Sequence, residues 1–203
     1  MARPRIDAEA VRARMVAETE ALLRRHGPDK VTMSDVAAAC GMSQSGAYRF
    51  FASRHALLVA VADHWFQDIE TGMAAILVDP GLDPAGRITR LIRCQMDMKR
   101  QRLERDPGFF DACLDLAARD LSVVEGHLVR MRAMLARAVG EAMAAGVIAR
   151  GDPDRVAALV EVMTTRFRDP WSIRTHPAGC TPAALDEVMT VIFRGLAPQI
   201  AAM

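Results

Sequence analysis

Apolar residues recur at three- and four-residue spacing along most of the chain, whereas the alternating segments typical of β-strands are almost absent. Residues 53–73 give an example. Leu57, Val61 and Trp65 share one face of a helix there, and Ser53 can cap its first turn. The pattern predicts an all-α fold in which a series of amphipathic helices each buries one side.

Capping residues, glycines and prolines divide this pattern into separate helices. We predict helices over residues 7–26, 33–40, 44–51, 53 to about 73, 84–105, 107–118, 121–145, 153–168 and 182–197. The clearest interruption is DPGLDPAG at 79–86, and the Pro-rich stretch 169–182 is predicted to be a second connection. We therefore predict two domains, 1–73 and 74–203, of which the second is a larger helical domain.

Two of these helices are short and almost adjacent. Thr32 can cap the first, with Asp35 as the acidic half of a capping box, and Gly41 supplies the backbone freedom that ends it. Ser43, only two residues after Gly41, can cap the second helix. The segment is predicted to be a helix-turn-helix unit, whose second helix is narrow enough to enter the DNA major groove.

The composition fits a DNA-binding protein without requiring one. The chain is 51% hydrophobic and 25% charged, as in ordinary soluble globular proteins, and its net charge is +1. Groove binding needs only a local basic surface. Basic residues gather near the N-terminus: Arg3, Arg5, Arg12, Arg14, Arg24, Arg25 and Lys30. The 13 methionines suit an adaptable pocket, and they suit plain core packing equally well.

The sequence predicts neither a metal site nor a cofactor. The four cysteines are scattered, with no CxxC pair and no histidine at zinc-ligand spacing, so we expect them to be small buried residues. No long apolar run follows the N-terminal arginines, and no stretch of about 18 apolar residues occurs. We therefore expect no signal peptide and no membrane span, and a cytoplasmic protein.

Residues 32–58 contain, in order, a capped short helix, the Ala-Cys-Gly-Met-Ser corner, Tyr-Arg-Phe-Phe, then Ser-Arg and a Leu-Leu pair. In this order of features the segment resembles the DNA-binding segment of TetR-family transcriptional regulators. The specific part covers about the first 65 residues, and the remainder matches in being all-α and of suitable length. Gly46 stands where the family commonly has Thr or Ala, and His55 where it commonly has Glu.

The resemblance implies a set of DNA-binding residues. The helix that begins at Ser43 would lie in the major groove, Tyr48 would contact a backbone phosphate, and Arg54 occupies the position of a phosphate-binding lysine. The candidates are Thr32, Ser43, Gln44, Ser45, Gly46, Tyr48, Arg49 and Arg54. Arg49 and Arg54 could instead be solvated surface charges. Arg3 and Arg5 could form an arm that reaches the DNA or a simple tail.

The resemblance also implies a ligand cavity in the second domain. The candidate lining residues are Cys94, Met98, Phe110, Cys113, Met134, Met163, Phe167 and Trp171. Taken singly, each of them fits ordinary core packing better than a pocket. The polar groups to inspect beside them are Gln95, His127 and Arg166. Arg166, together with Arg168 and Asp169, could bind an acid or bridge two subunits.

We therefore expect a ligand-responsive transcriptional regulator rather than an enzyme, most simply a repressor. It would bind a near-palindromic operator as a homodimer through helices 153–168 and 182–197, and a small apolar or amphipathic effector would release it. An all-α carrier or enzyme with structural N-terminal helices is an alternative, although no catalytic motif supports it. A helical scaffold that binds another protein through the 182–197 face is a third interpretation.

Overall fold

A computed structural model describes residues 7–198, which form eleven α-helices and no β-strand. The predicted all-α fold class is confirmed. The helices are α1 (Ala8–His26), α2 (Met33–Ala39), α3 (Gln44–Tyr48), α4 (Arg54–Leu77), α5 (Pro84–Arg105), α6 (Pro107–Arg119), α7 (Glu125–Ala144), α8 (Pro153–Met163), α9 (Thr165–Arg168), α10 (Pro170–Thr175) and α11 (Pro182–Leu196). Short 3-10 turns form at Pro28–Lys30, Leu121–Val123 and Pro177–Gly179.

Side-chain caps set most of the helix starts. The carboxylate of Asp7 accepts hydrogen bonds from the backbone N–H groups of Glu9 and Ala10 at 3.0 and 3.2 Å. Asp106, Asp152 and Thr181 cap α6, α8 and α11 in the same way. Each cap satisfies N–H groups that have no partner inside the helix, and this is why local sequence signals located these starts.

The helix predicted over 153–168 is wrong in one respect, because it breaks at Thr164. The hydroxyl of Thr164 donates to the carbonyl of Val160 at 2.6 Å, and the hydroxyl of Thr165 donates to the carbonyl of Glu161 at 3.0 Å. Side-chain hydroxyls that compete for helix carbonyls bend helices. As a result α8 ends at Met163 and α9 follows as a separate short helix.

The Pro-rich stretch 169–182 is more than a connection, since it contains α10. Asp169 caps this helix by accepting a hydrogen bond of 2.8 Å from the backbone N–H of Ser172. Pro170 occupies the first turn, where its fixed φ favours a helix and its missing N–H removes nothing. The helix predicted to begin at 121 starts instead at Glu125, after a 3-10 turn.

Contacts group the chain into two compact units. Unit 1 comprises Met1–Phe66 and Asp106–Gly126, and unit 2 comprises Gln67–Arg105 and His127–Met203. Unit 1 is discontinuous in sequence because α6 packs against α1. The boundary after residue 73 stays a prediction.

Unit 1 holds one apolar core built from α1, α2, α3, α4 and α6. Its fully buried members include Met15, Leu23, Val36, Ala47, Phe51, Leu57, Val61 and Phe109. Trp65 packs edge-on against Phe109, with ring centroids 5.5 Å apart, and against Phe110 at 5.9 Å. The two short helices 33–39 and 44–48 therefore rest on a packed base rather than standing alone.

Unit 2 is organised around α5, which contacts α9, α10 and α11. Ile88, Leu91 and Ile92 on α5 are completely buried. An ion pair of 2.6 Å between Arg87 and Glu141 joins α5 to α7. None of the helices within residues 7–198 is both long and apolar enough to cross a membrane.

Candidate nucleic-acid interface

The start of α2 is fixed by the predicted capping box. The hydroxyl oxygen of Thr32 accepts a hydrogen bond of 3.3 Å from the backbone N–H of Asp35. The Asp35 carboxylate in turn accepts from the backbone N–H of Thr32 at 2.9 Å and from its hydroxyl at 2.6 Å. These bonds from Thr32 hold the pKa of Asp35 below its usual value. The capping box is confirmed, and its carboxylate stays ionised near neutral pH.

The corner between α2 and α3 depends on Gly41. Its φ of +66° lies in the left-handed region that favours glycine. After this residue the chain turns back, and the backbone N–H of Met42 donates to the carbonyl of Ala37 at 2.9 Å. Gly41 therefore ends α2 as predicted and lets the next cap, Ser43, follow within two residues.

Helix α3 is shorter than predicted and ends at Tyr48 rather than at residue 51. Ser43 caps it, since its hydroxyl accepts a hydrogen bond of 3.1 Å from the backbone N–H of Gly46. The N–H groups of Phe50 and Phe51 both bond to the carbonyl of Ala47, so the chain leaves the helix in a single closing turn. Phe51, the last residue of the predicted helix 44–51, is buried in that turn instead.

The outer side of α3 presents the predicted DNA-contacting residues to solvent. Ala47 is fully buried, whereas the next residue, Tyr48, is 45% exposed. Gln44, Ser45 and Arg49 are exposed as well. Arg49 forms no ion pair with any residue of the described chain, so its charge is available to a partner. Ala47 therefore packs α3 against the core of unit 1, and the outer surface of the helix is polar.

Arg54 has partners inside unit 1. Its Nε donates a hydrogen bond of 2.7 Å to the carbonyl of Val31, and its terminal N–H donates to the carbonyl of Pro28. These bonds tie the start of α4 to the 3-10 turn at Pro28–Lys30 and to the extended residue Val31 that follows it. The phosphate contact suggested for Arg54 stays a prediction, and the structure gives this residue an additional role in holding α2 in place.

Arg12 makes a comparable link from α1. Its guanidinium donates to the carbonyl of Phe50 and lies 4.2 Å from the centre of the Phe51 ring. Phe50 and Phe51 lie in the closing turn after α3. The arginine therefore holds the exit of α3 against α1 through a hydrogen bond and a cation–π contact. Arg3 and Arg5, the suggested N-terminal arm, lie outside the described residues.

The residues suggested for a ligand cavity are distributed over both compact units. Phe110 and Cys113 belong to unit 1, where Phe110 packs against Trp65. The remaining six belong to unit 2: Cys94, Met98, Met134, Met163, Phe167 and Trp171. Of these, Met163 and Trp171 are 45% and 62% exposed, whereas Phe167 is buried. The suggested lining set stays a prediction.

Two of the suggested residues pack directly against α4. A Cβ placed on Gly72 would lie 3.1 Å from the sulfur of Cys94 and 3.6 Å from the sulfur of Met98. Burial raises the pKa of the Cys94 thiol, so the thiol stays protonated and weakly reactive. The contact shows how closely α4 and α5 approach each other within unit 2.

A buried polar cluster in unit 2 was only partly predicted. His127 on α7 is 2% exposed, and its Nδ1 lies 2.7 Å from a carboxylate oxygen of Glu70 on α4. Arg130 also donates to both oxygens of Glu70, at 2.7 and 2.9 Å. His127 was predicted from the sequence as a polar group beside the cavity, whereas Glu70 and the nearby buried Lys99 were not.

The protonation states of this cluster follow from burial and charge. Burial, and then the positive charge of Lys99, lower the pKa of His127 to about 4, although the hydrogen bond to Glu70 acts in the opposite direction. Burial raises the pKa of Glu70, but the bonds from Arg130 and His127 outweigh it and leave the value below normal. At neutral pH a neutral His127 therefore donates its Nδ1 proton to an ionised Glu70.

Arg166, the third polar residue singled out, is exposed and lies against the turn at 177–179. A Cβ placed on Gly179 would overlap the Arg166 guanidinium. Arg168, the last residue of α9, folds back onto α8, where its guanidinium donates to the carbonyl of Glu161 at 2.8 Å. The structure thus gives Arg168 an intrachain partner.

Solved structures with the same fold cover almost the whole chain. A protein from Mesorhizobium loti, described as a TetR-family transcriptional regulator, is 17% identical, with 96% of this chain and 100% of that one covered at a TM-score of 0.67. SmeT, the repressor of the Stenotrophomonas maltophilia multidrug efflux pump SmeDEF, is 14% identical, with 97% and 95% covered and a TM-score of 0.66.

Two further structures contain bound small molecules. A complex of SmeT with triclosan is 14% identical, covers 96% of this chain and 95% of that one, and has a TM-score of 0.65. RolR in complex with resorcinol is 19% identical, covers 96% and 91%, and has a TM-score of 0.59. Identities this low show a shared fold alone. A comparison with curated proteins gave no match.

Family models match both parts of the chain. Residues 16–61 match the model described as bacterial regulatory proteins of the tetR family, and residues 84–189 match the tetracyclin repressor-like C-terminal domain. The first match contains the whole helix-turn-helix, and the second alone spans more than half of the chain. The protein therefore belongs to the TetR family of DNA-binding transcriptional regulators.

Proposed function

We propose that this regulator is a repressor that binds a near-palindromic operator as a homodimer and is released by a small molecule. The observation that carries the proposal is the geometry of α3. Ala47 is buried while Tyr48 and the polar residues around it face solvent, so the helix can enter a major groove without disturbing the core. SmeT, which shares the fold, is itself named a repressor.

Exposed apolar residues support the homodimer. Val162 on α8 is 72% exposed and Val191 on α11 is 67% exposed. Leu159 and Met163 on α8 are also about half exposed, at 48% and 45%. Large apolar side chains clustered on a helix surface often mark a protein interface. The two helices are the ones predicted to pair, and a two-fold axis would place two copies of α3 about 34–36 Å apart, one turn of DNA.

The release step requires a ligand that binds two arrangements of the dimer unequally. SmeT has been solved with triclosan and RolR with resorcinol, which supports a small molecule as the effector of this chain too. Helix α4 is one continuous helix whose residues divide between the two units. A shift of this helix would change the separation of the two α3 helices and weaken operator binding.

The proposal is tested with the DNA immediately upstream of the coding region, because self-regulation makes that fragment the best first choice. Binding of the purified protein is measured by fluorescence anisotropy at two salt concentrations, with a scrambled duplex as the control. We expect strong preference for the upstream fragment and weaker binding at higher salt.

The double variant Tyr48→Ala with Arg49→Ala should lose the preference for the upstream fragment. Its matched control is Trp171→Ala, another exposed aromatic residue, which lies on α10 in unit 2. The control should keep full affinity. Operator binding that survives the double variant would contradict the assignment of α3 as the DNA-reading helix.

A further inference from the structure

One face of α5 in unit 2 carries two polar residues that are shut off from solvent. Gln95 is 1% exposed and Lys99 is 6% exposed. They are four residues apart, so they are neighbours on the helix surface. Lysine is almost never this deeply buried unless its charge has a partner. The question is therefore which group serves as the partner of this lysine.

The chain itself supplies little for the ammonium group of Lys99. One of its three N–H groups donates a hydrogen bond of 2.6 Å to the backbone carbonyl of Arg168. Within residues 7–198, no carboxylate forms an ion pair with Lys99. Burial, and then the positive charge of Arg168, lower the pKa of Lys99 to about 7, and Asp169 opposes this only in part. Burial thus disfavours the charged form of Lys99, and an anion placed beside the ammonium group would restore that form.

The side chain of Gln95 also lacks a hydrogen-bond partner, at its acceptor oxygen. Its side-chain oxygen Oε1 is buried and accepts no hydrogen bond from any described residue. Native proteins rarely leave a buried acceptor without a donor, and such an atom requires an explanation. His127 on α7 lies close enough to feel the charge of Lys99. Near His127 of α7, helix α5 thus carries the ammonium group of Lys99 and the side-chain oxygen of Gln95, and each can bond to a further partner.

We propose that Gln95 and Lys99 form the polar end of the effector site, and that the effector is a small organic acid with a hydroxyl group and an apolar body. Its carboxylate would pair with Lys99, and its hydroxyl would donate to Oε1 of Gln95. Ile92 and Met96 lie on the same face of α5 and are completely buried, so they supply apolar surroundings. The inference rests on the proposed function, in which unit 2 binds an effector.

The first test uses full-length protein and defined probes. They are benzoate, its 2-, 3- and 4-hydroxy derivatives, octanoate and 3-hydroxyoctanoate, each compared with its primary amide. Calorimetry gives the affinity, and anisotropy gives release of the operator fragment. We expect at least one hydroxy acid to bind about 30-fold or more tightly than its amide, as an uncompensated buried charge would demand, and to release the fragment.

Variants assign the binding energy to the two residues. Lys99→Gln keeps a donor for the Arg168 carbonyl but removes the charge, and it should abolish the preference for the acid over the amide. Gln95→Leu should abolish the preference for the hydroxy acid over the plain acid. Lys30→Gln, at the only other lysine, which is exposed and lies in unit 1, is the control and should change neither.

A measurement on the unmodified protein guards against variants that fail to fold. Since the chain has two lysines, isotope labelling of the lysine side chains gives two NMR signals, and Lys30→Gln identifies them. Binding of the acid should shift the Lys99 signal and raise its pKa. If no acid of the panel moves this signal, or if acids and amides bind equally, the proposal is wrong.

Failure of the inference is separable from failure of the proposed function. Operator binding by the ligand-free protein does not depend on Lys99. A protein that binds its operator and is released equally by acids and amides would remain a ligand-responsive repressor with a different effector class. Absence of operator binding would contradict the proposed function, whereas a response of the Lys99 signal to acids would still support the site.

Discussion

The guanidinium Nε of Arg54 lies 2.7 Å from the carbonyl oxygen of Val31, so the first residue of α4 holds the segment that leads into α2. A second bond from the same side chain reaches the carbonyl of Pro28. The placement of the helix-turn-helix thus depends on a side chain outside it. A basic residue at this position can therefore have two roles: it can bind a DNA phosphate, and it can hold the segment that leads into α2.

Replacing Arg54 by Gln should destabilise the protein as well as weaken operator binding. The variant loses two hydrogen bonds from a charged donor to backbone carbonyls, and we expect the free energy of unfolding to fall by about 1–3 kcal/mol. Urea denaturation measures it. The control is Arg49→Gln, at the exposed arginine that follows α3. This variant should change the free energy of unfolding by less than about 0.5 kcal/mol. Unchanged stability of Arg54→Gln would leave phosphate binding as the role of this residue.

Replacing Thr32 by Ala should remove the cap of α2. The N–H of Asp35 then loses its side-chain acceptor, and caps of this kind contribute about 1 kcal/mol. The free energy of unfolding of Thr32→Ala is to be compared with that of Ser34→Ala. Ser34 is exposed on the same helix and caps nothing. Equal stabilities of the two variants would show that the capping box contributes little.

Introducing a charge on the exposed faces of α8 and α11 should dissociate the proposed homodimer. Val162→Glu and Val191→Glu would each bury a carboxylate in the interface, which is costly without a partner. Sedimentation equilibrium of the wild type should give twice the chain mass, and that of each variant should shift towards a monomer. Val78→Glu is the matched control, because Val78 is 68% exposed and lies outside both helices. A dimer that tolerates both substitutions would place the interface elsewhere.

His127 should make the protein less stable in mild acid. The folded-state pKa is about 4 and the ordinary value is 6.5, so the unfolded chain binds the proton more tightly between these limits. Stability from this residue is complete above pH 6.5 and is lost as the pH falls towards 4, by an amount on the order of 3 kcal/mol. Glu70, whose pKa is lowered as well, acts in the same direction at still lower pH.

The measurement is the free energy of unfolding from pH 7 to 4.5 for the wild type, His127→Gln and His176→Gln. His127→Gln keeps a donor for Glu70 but cannot titrate, so its stability should fall less steeply below pH 6.5. His176 is exposed on the turn after α10, and its variant should follow the wild type. Parallel curves for all three proteins would show that the burial of His127 does not control the acid response.

Sequence analysis located the helix-turn-helix because its signals are local. Thr32, Gly41 and Ser43 each act within three or four residues, through a cap or a left-handed turn, and the structure places all three as predicted. The assignment of the exposed α3 residues to DNA contacts stays a prediction. What local chemistry can show is which residues are free to face a partner.

Features that depend on distant partners were not predictable in this way. Arg54 bonds to a carbonyl 23 residues earlier, and Lys99 bonds to one 69 residues later. Lys99 shares the apolar face of α5 with Ile92 and Met96, but this spacing suits equally a lysine whose stem packs there while its ammonium group reaches solvent. The break at Thr164 was missed for a different reason, because the apolar pattern continues through it while two threonine hydroxyls redirect the backbone.

The turn at 79–83 and the stretch 169–182 look alike in the sequence, since both contain proline and glycine and connect helices. In the second, however, Cys180 is completely buried, its carbonyl accepts a hydrogen bond of 2.9 Å from Arg100, and its thiol donates to the carbonyl of Arg166. The first carries exposed residues at 79–81. A fluorophore or affinity tag for following this regulator therefore belongs in the first turn, where added chain would project into solvent. In the second stretch an insertion would have to displace buried, hydrogen-bonded residues.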